Sequence, residues 1–276
     1  MAEWQSGDVV ANGIRIHYYR TGEGKPPIVL SHGFSDDGLC WTRLARVLEA
    51  DYDVVMPDAR GHGLSEAPDE GYASAGCAAD LAGFIKALGL GRPAIGGHSM
   101  GGSTSLYCAA LHPEVVGCAV LEDPGLWLPG AGATGPEREA RVAEMRHMME
   151  HAQTASREQL MEFCRKQRPT WDEVELGPWA DAKKSMSPKA AGAPRAQEAM
   201  TWQEALAKVT CPTLLVTSDP ALGGIVTPEA AERAKEVLPS LRVVRMTGAG
   251  HNIRREAFEP FVAAVRGFLA EEYNSR

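Results

Sequence analysis

The sequence predicts an α/β fold with a mostly parallel sheet, and three observations carry that expectation. Short apolar runs without strict alternation recur along the chain, as strands covered by helices on both faces require. Stretches with apolar positions three and four apart separate them, giving strand–helix alternation. Between one such run and one such stretch lies Gly97-His98-Ser99-Met100-Gly101-Gly102, a Ser-centred G-x-S-x-G. A one-residue turn at Ser99 crowds its neighbours, and flanking glycines relieve the crowding. Such a turn exposes the serine hydroxyl at the carboxyl end of a sheet.

The elements follow in order. Asp8 to Asn12 pairs with Ile14 to Tyr19 as a hairpin, Asn12-Gly13 supplying the turn. Strands are expected at 27–30, 53–56, 94–97, 116–121, 212–217 and 241–246. Helices are expected at 41–49, 78–88, 101–111, 228–238 and 255–272. Thr227 caps one of these, with Pro228 in its first turn.

From Leu126 to Ala205 the alternation stops. These roughly eighty residues exceed a simple connection. Glu137 to Glu150 and Arg157 to Arg168 read as helices, and Gly192-Ala193-Pro194 interrupts an alanine-rich stretch. The division is therefore a core of residues 1–126 and 206–276 with a mostly helical cap, 127–205, inserted into it. An irregular surface excursion is the alternative. Met145, Met148, Met149, Met161, Met186 and Met200 would suit either an adaptable apolar pocket or a helical core. Trp127, Trp171, Trp179 and Trp202 would suit either a flat pocket wall or cap-to-core anchors.

Length and charge exclude several classes. At 276 residues with 44% apolar content, the chain can bury a full core. Its net charge of −8 comes without a concentrated basic patch, so neither nucleic acid nor an anionic membrane is an expected partner. Arg165 to Arg168 is read as a solvated helix end. No apolar run spans a membrane, and the start lacks the basic and apolar regions of a signal peptide. None of the six cysteines forms a CxxC, and several sit in apolar runs where a free cysteine behaves as a small buried hydrophobe, so a reducing cytoplasm is the default. His147 and His151 stand four apart with no further ligands, so no metal is expected.

The chemistry centres on Ser99. A serine hydroxyl needs a base, and the base needs an acid to orient it. Thr247-Gly248-Ala249-Gly250-His251-Asn252 follows the last strand, making His251 the base. His32-Gly33-Phe34 follows the strand ending near Ser31. Phe34 and Met100 amides are the candidate oxyanion donors. His32 supports that loop. His32, His98 and Trp127 are tentative pocket residues. Asp58 to Ser65 reads as a rigid structural turn.

These motifs, in this order, resemble the α/β-hydrolase fold family from about residue 10 to 270, the cap apart. The resemblance implies an eight-stranded sheet with only the second strand reversed, a cap over the strand ends, and hydrolysis without a cofactor. The family's usual acid follows the strand after the cap. Here Ser218 to Pro228 has glycine where that carboxylate stands, and Asp219 lies earlier. A second family solution, shared by hydrolases of (acetamidomethylene)succinate and zearalenone lactonases, places the acid after the strand that follows the elbow helix. Asp123, 24 residues after Ser99, matches that layout. Active-site residues collect at such strand ends. Asp123 is the acid expected, with Asp219 and Glu122 as alternatives.

The reading at this level is a serine hydrolase of the carboxylesterase kind. Its partners would be water and a small, partly apolar ester or lactone. A carbon–carbon bond or an amide is the alternative substrate, and a non-catalytic small-ligand receptor is the alternative function. A serine at the elbow disfavours haloalkane and epoxide chemistry, which by resemblance use aspartate there. A haloperoxidase role would use the same triad, and nothing specific points to it.

Overall fold

The computed structural model describes residues 4–127, 149–192 and 200–274, together with 143, 147 and 198. The first hairpin joins β1 (Gln5–Ala11) to β2 (Ile14–Arg20) in antiparallel register. Asn12 and Gly13 both take positive φ, 49° and 80°, as a two-residue hairpin turn demands. Then come β3 (Pro27–Ser31), α1 (Thr42–Leu48), β4 (Asp53–Pro57), α2 (Ser74–Ala87), β5 (Ala94–His98), α3 (Met100–Leu111) and β6 (Cys118–Glu122). After the long insertion the core resumes with β7 (Thr213–Thr217), α8 (Pro228–Val237), β8 (Arg242–Arg245), α9 (Ile253–Glu256) and α10 (Phe258–Glu272).

The eight strands run in the order β1-β2-β4-β3-β5-β6-β7-β8. From β4 to β8 every pairing is parallel, while β2 is antiparallel to both its neighbours. The central strands are buried on both faces, which is why their sequences do not alternate. One apolar cluster joins Val29, Val55, Ile95 and Leu121 to α2, α3 and α8. A second joins Leu30, Val54, Met56 and Val120 to α1 and α10 on the other face.

Two helices begin or break where apolar periodicity alone did not put them. The expected helix at 78–88 starts at Ser74, because the Glu198 carboxylate accepts from the Ser74 amide and hydroxyl. A carboxylate at a helix N-terminus favours the helix dipole. The expected 255–272 helix is two helices, broken at Ala257, whose φ/ψ of −134°/56° is not helical.

Between β6 and β7, the described residues are helical at 149–154, α4 (Arg157–Gln167), α5 (Glu173–Ser185), α6 (Pro188–Gly192) and α7 (Trp202–Leu206). Ser156 and Gln159 close a reciprocal cap on α4. Met145, Met148 and most of the expected 137–150 helix lie outside the described residues. All six cysteine side chains are buried as thiols. Among the described residues no helix is long and apolar enough to cross a membrane.

Candidate active site

Ser99 sits between β5 and α3 with φ/ψ of 52°/−109°. Its amide donates to Glu122 O at 3.0 Å, and its carbonyl accepts from the Ser103 and Gly125 amides, each at 3.0 Å. The glycines have the steric role expected of them. A Cβ on Gly97 would collide with the Gly101 backbone, and one on Gly101 with the Ser31 carbonyl. Met100 is the first residue of α3, where an amide has no acceptor within the helix.

Among the described residues, four non-glycine residues hold positive φ: Asn12, Ser35, Ser99 and Asp123. Asn12 makes the hairpin turn. The other three belong to the elbow, the residue after Phe34, and the end of β6. Such conformations cost about 1–3 kcal/mol each and persist where surrounding contacts enforce them.

Asp123 follows β6, which pairs with β5 so that Glu122 lies opposite His98. Its side chain is fully buried. Oδ2 accepts from His251 Nδ1 at 2.7 Å and from the Ile225 amide at 2.9 Å, and Oδ1 accepts from the Val226 amide at 3.0 Å. A carboxylate here can only accept, so Nδ1 carries the proton and a neutral His251 keeps a lone pair on Nε2. That is the tautomer a general base needs.

The two alternative acids have other side-chain partners. Asp219 accepts from Arg245 at 2.8 Å, and among the described residues no hydrogen bond joins it to His251. Glu122 is buried under the histidine loop. Its Oε1 accepts from the Arg254 amide at 2.8 Å, and Oε2 lies 3.4 Å from Arg254 Nη1. Burial pushes the Glu122 carboxyl upward and Arg254 opposes it.

The three tentative pocket residues are all buried. His32 is 1% exposed, donates from Nδ1 to Gly33 O at 2.8 Å and accepts at Nε2 from the Ala59 amide at 2.9 Å. It ties the Phe34 loop to the Asp58 turn, with both ring nitrogens engaged by backbone groups. Trp127 is buried and stacked on Trp202, ring centroids 4.7 Å apart. His98 is buried against His251. Phe34 packs its ring toward Tyr72, Met149, Met186 and Ala190.

A buried ionic cluster beside this site was not foreseen. Asp36 Oδ1 lies 3.1 Å from Lys183 Nζ, and its Oδ2 lies 3.1 Å from Arg255 Nη2. Arg255 Nε lies 3.1 Å from Glu175 Oε2. Burial would raise the Asp36 carboxyl, but Arg255, Lys183 and Arg254 together hold it well below the usual range. Glu175 and Lys183 both stand on α5. The inserted segment is thereby fastened to the loop after β3 and to the helix after His251. The doublets Asp36-Asp37 and Arg254-Arg255, each just past a motif loop, were the available signal.

The inserted helices also wall a cavity of about 400 Å³, lined by Met149, Ala152, Leu160, Trp179, Lys183 and Met186 and reaching the core at Ser35.

A family model described as the alpha/beta hydrolase family matches residues 28–264. The chain belongs to that family. This hydrolase is 30% identical over 269 residues to the N-formylmaleamate deformylase of Pseudomonas putida, spanning 95% of this chain and 96% of that protein. It is 26% identical to the 2-(acetamidomethylene)succinate hydrolase of Mesorhizobium japonicum, over 93% of this chain and 92% of that one. Among solved structures, E-2-(acetamidomethylene)succinate hydrolase matches with a TM-score of 0.81 at 23% identity, covering 97% of this chain and 100% of the other. The enol-lactonase from Burkholderia xenovorans matches at 0.76 and 23%, covering 96% and 100%. At these identities the structural likeness is one of fold.

Proposed function

We propose that this hydrolase cleaves an amide-type carbon–nitrogen bond of a small molecule through an acyl-enzyme on Ser99. The observation that carries the reading is the buried Asp123 carboxylate 2.7 Å from His251 Nδ1, at the end of the strand beside the one that presents Ser99. The bond type is supported by the N-formylmaleamate deformylase, which aligns along nearly the whole chain.

In this reading Ser99 Oγ adds to the substrate carbonyl as its proton passes to His251 Nε2. Asp123 supports the charge that His251 acquires. The Phe34 and Met100 amides receive the oxyanion. The carbon–nitrogen bond breaks as His251 passes its proton to the leaving nitrogen. Water, deprotonated by His251, then releases the acid and restores the Ser99 hydroxyl. The same groups would open an ester or lactone, since attack and oxyanion are alike. The two relatives that align along nearly the whole chain favour the nitrogen leaving group over the ester or lactone expected from sequence.

The segment 127–205 is the cap of this reading, and its α5 tie to Asp36 and Arg255 supports that role. The buried thiols favour a reducing compartment such as the cytoplasm.

The test is turnover of matched N-formyl, N-acetyl, ester and lactone substrates by the native chain and by Ser99→Ala. Amide turnover abolished by Ser99→Ala is expected. Turnover of esters or lactones alone would move the substrate class. Small-ligand binding without turnover would favour a receptor.

A further inference from the structure

His98 has no part in the reaction outlined above, yet its side chain lies against His251 and the loop after β3. It ends β5, is 4% exposed, and is bonded directly to Ser99. Its Nε2 lies 2.9 Å from the carbonyl oxygen of His251. A carbonyl only accepts, so the proton sits on Nε2. Burial, with His251 and Arg254 beside it, holds this imidazole well below the ordinary histidine range, Asp36 pulling the other way. The ring is neutral, and Nδ1 carries a lone pair.

That Nδ1 is buried without a hydrogen-bond partner. It faces the loop after β3, where a Cβ on Gly33 would come within 2.6 Å of it. The His98 and His251 rings lie 4.6 Å apart, their planes tilted by 42°. One imidazole therefore adjoins the nucleophile by covalent bond, the base by hydrogen bond, and the Phe34 loop by packing. An orphaned buried acceptor is a penalty that a residue kept for bulk alone would not carry. Its offset is the donor on the other nitrogen.

His251 needs such a donor. It stands on the loop after β8, three places across the sheet from β5, and its side chain is 29% exposed. Asp123 holds one point of the ring, and the loop is anchored on either side, at Ala249 by the Asp219 amide, at Gly250 by Glu256 and at Arg254 by Glu122, while His98 holds the backbone at His251 itself. We propose that His98 is a positioning residue, whose Nε2–H fixes the His251 backbone so that the base meets the nucleophile. The inference rests on Ser99 and His251 carrying the reaction.

His98→Gln returns an N–H near the Nε2 position, whereas His98→Leu and His98→Phe keep apolar bulk without one. On a substrate that Ser99→Ala no longer turns over, His98→Leu should lower kcat about tenfold with KM nearly unchanged, the loss expected of one buried donor. His98→Gln should recover most of that loss. Nitrogen-15 NMR of the native chain should show His98 neutral and protonated on Nε2. His98→Phe replaces His98→Leu if the latter does not fold. Native kcat in the variants lacking the donor, no recovery with Gln, or a proton on Nδ1 overturns the inference. Full activity in Ser99→Ala instead overturns the proposed reaction, while the NMR result still judges His98.

Discussion

Asp123 Oδ2 lies 2.7 Å from His251 Nδ1, although 128 residues separate them. The same carboxylate takes the amides of Ile225 and Val226. Those amides belong to the loop that carries the acid in most relatives by resemblance. Here that loop lends its backbone to a carboxylate at the end of the strand next to the elbow.

Replacing Asp123 by Asn should therefore do more than remove charge. Three donors converge on the carboxylate, and an amide NH2 must face one of them. It either repels a backbone amide or forces His251 into the wrong tautomer. The expected loss in kcat is about 10³- to 10⁴-fold with the fold intact, read by steady-state kinetics beside circular dichroism. Asp219→Asn should leave kcat near native, since it breaks only the surface pair with Arg245, worth about 1 kcal/mol or less. The reverse ranking would transfer the acid to Asp219.

The turn after Phe34 gives a separate pH signature. Burial, then Asp58 and Asp36, push the Asp37 carboxyl up to about 7 from the ordinary aspartate value of 3.8. Between those values the folded chain holds a proton that the unfolded chain has released. Stability should fall as pH rises through this window and level off above it. Asp36 acts in the opposite sense and in a lower window. Its depressed value stabilises the fold above the ordinary carboxyl range and is lost only on further acidification. Asp37→Asn should raise Tm by about 3 °C or more at pH 8 and change little at pH 4. Equal shifts at both values would mean that the charge on Asp37 is not the cause.

If the cavity between the inserted helices receives part of the substrate, filling it should change selectivity without changing chemistry. Ala152 borders it beside Leu160, Trp179 and Met186. Ala152→Phe should cut kcat/KM for substrates with a bulky acyl or amine group about tenfold. Formyl and acetyl substrates should be spared. A selectivity series unchanged by this substitution would take the cavity out of the substrate path.

The elbow was legible because its turn is too tight for any flank but glycine, and a steric rule of that kind survives in one dimension. The central strands were legible because burial on both faces leaves unbroken apolar runs. Backbone amides carry no sequence signature, so the Ile225 and Val226 contacts to Asp123 were invisible. The start of α2 was misplaced because its N-terminal partner, Glu198, lies 124 residues away. His32 and Trp127 were expected near a pocket by proximity to motifs. In the structure His32 lies between two backbone groups, as expected of a residue that supports its loop, and Trp127 stacks on Trp202.

Asp36 gives the last prediction. Its carboxylate is shared by Lys183 of the inserted segment and Arg255 of the helix after His251, all buried or nearly so. Asp36→Asn keeps the shape and deletes the charge, leaving Lys183, Arg255 and Arg254 with Glu175 and Glu122 as the neighbouring carboxylates. Removing one partner from a buried ionic group costs about 3–5 kcal/mol, and the remaining Glu175 contact places this case near the lower end. Unfolding in urea should show that loss. Because Asp36 lies two residues from Phe34, kcat should fall as well, while Lys183→Met should cost less stability because Asp36 keeps Arg255 and Arg254 as counter-charges. Native stability in Asp36→Asn would mean that the cluster is balanced without its central carboxylate and that α5 is held to the core by packing alone.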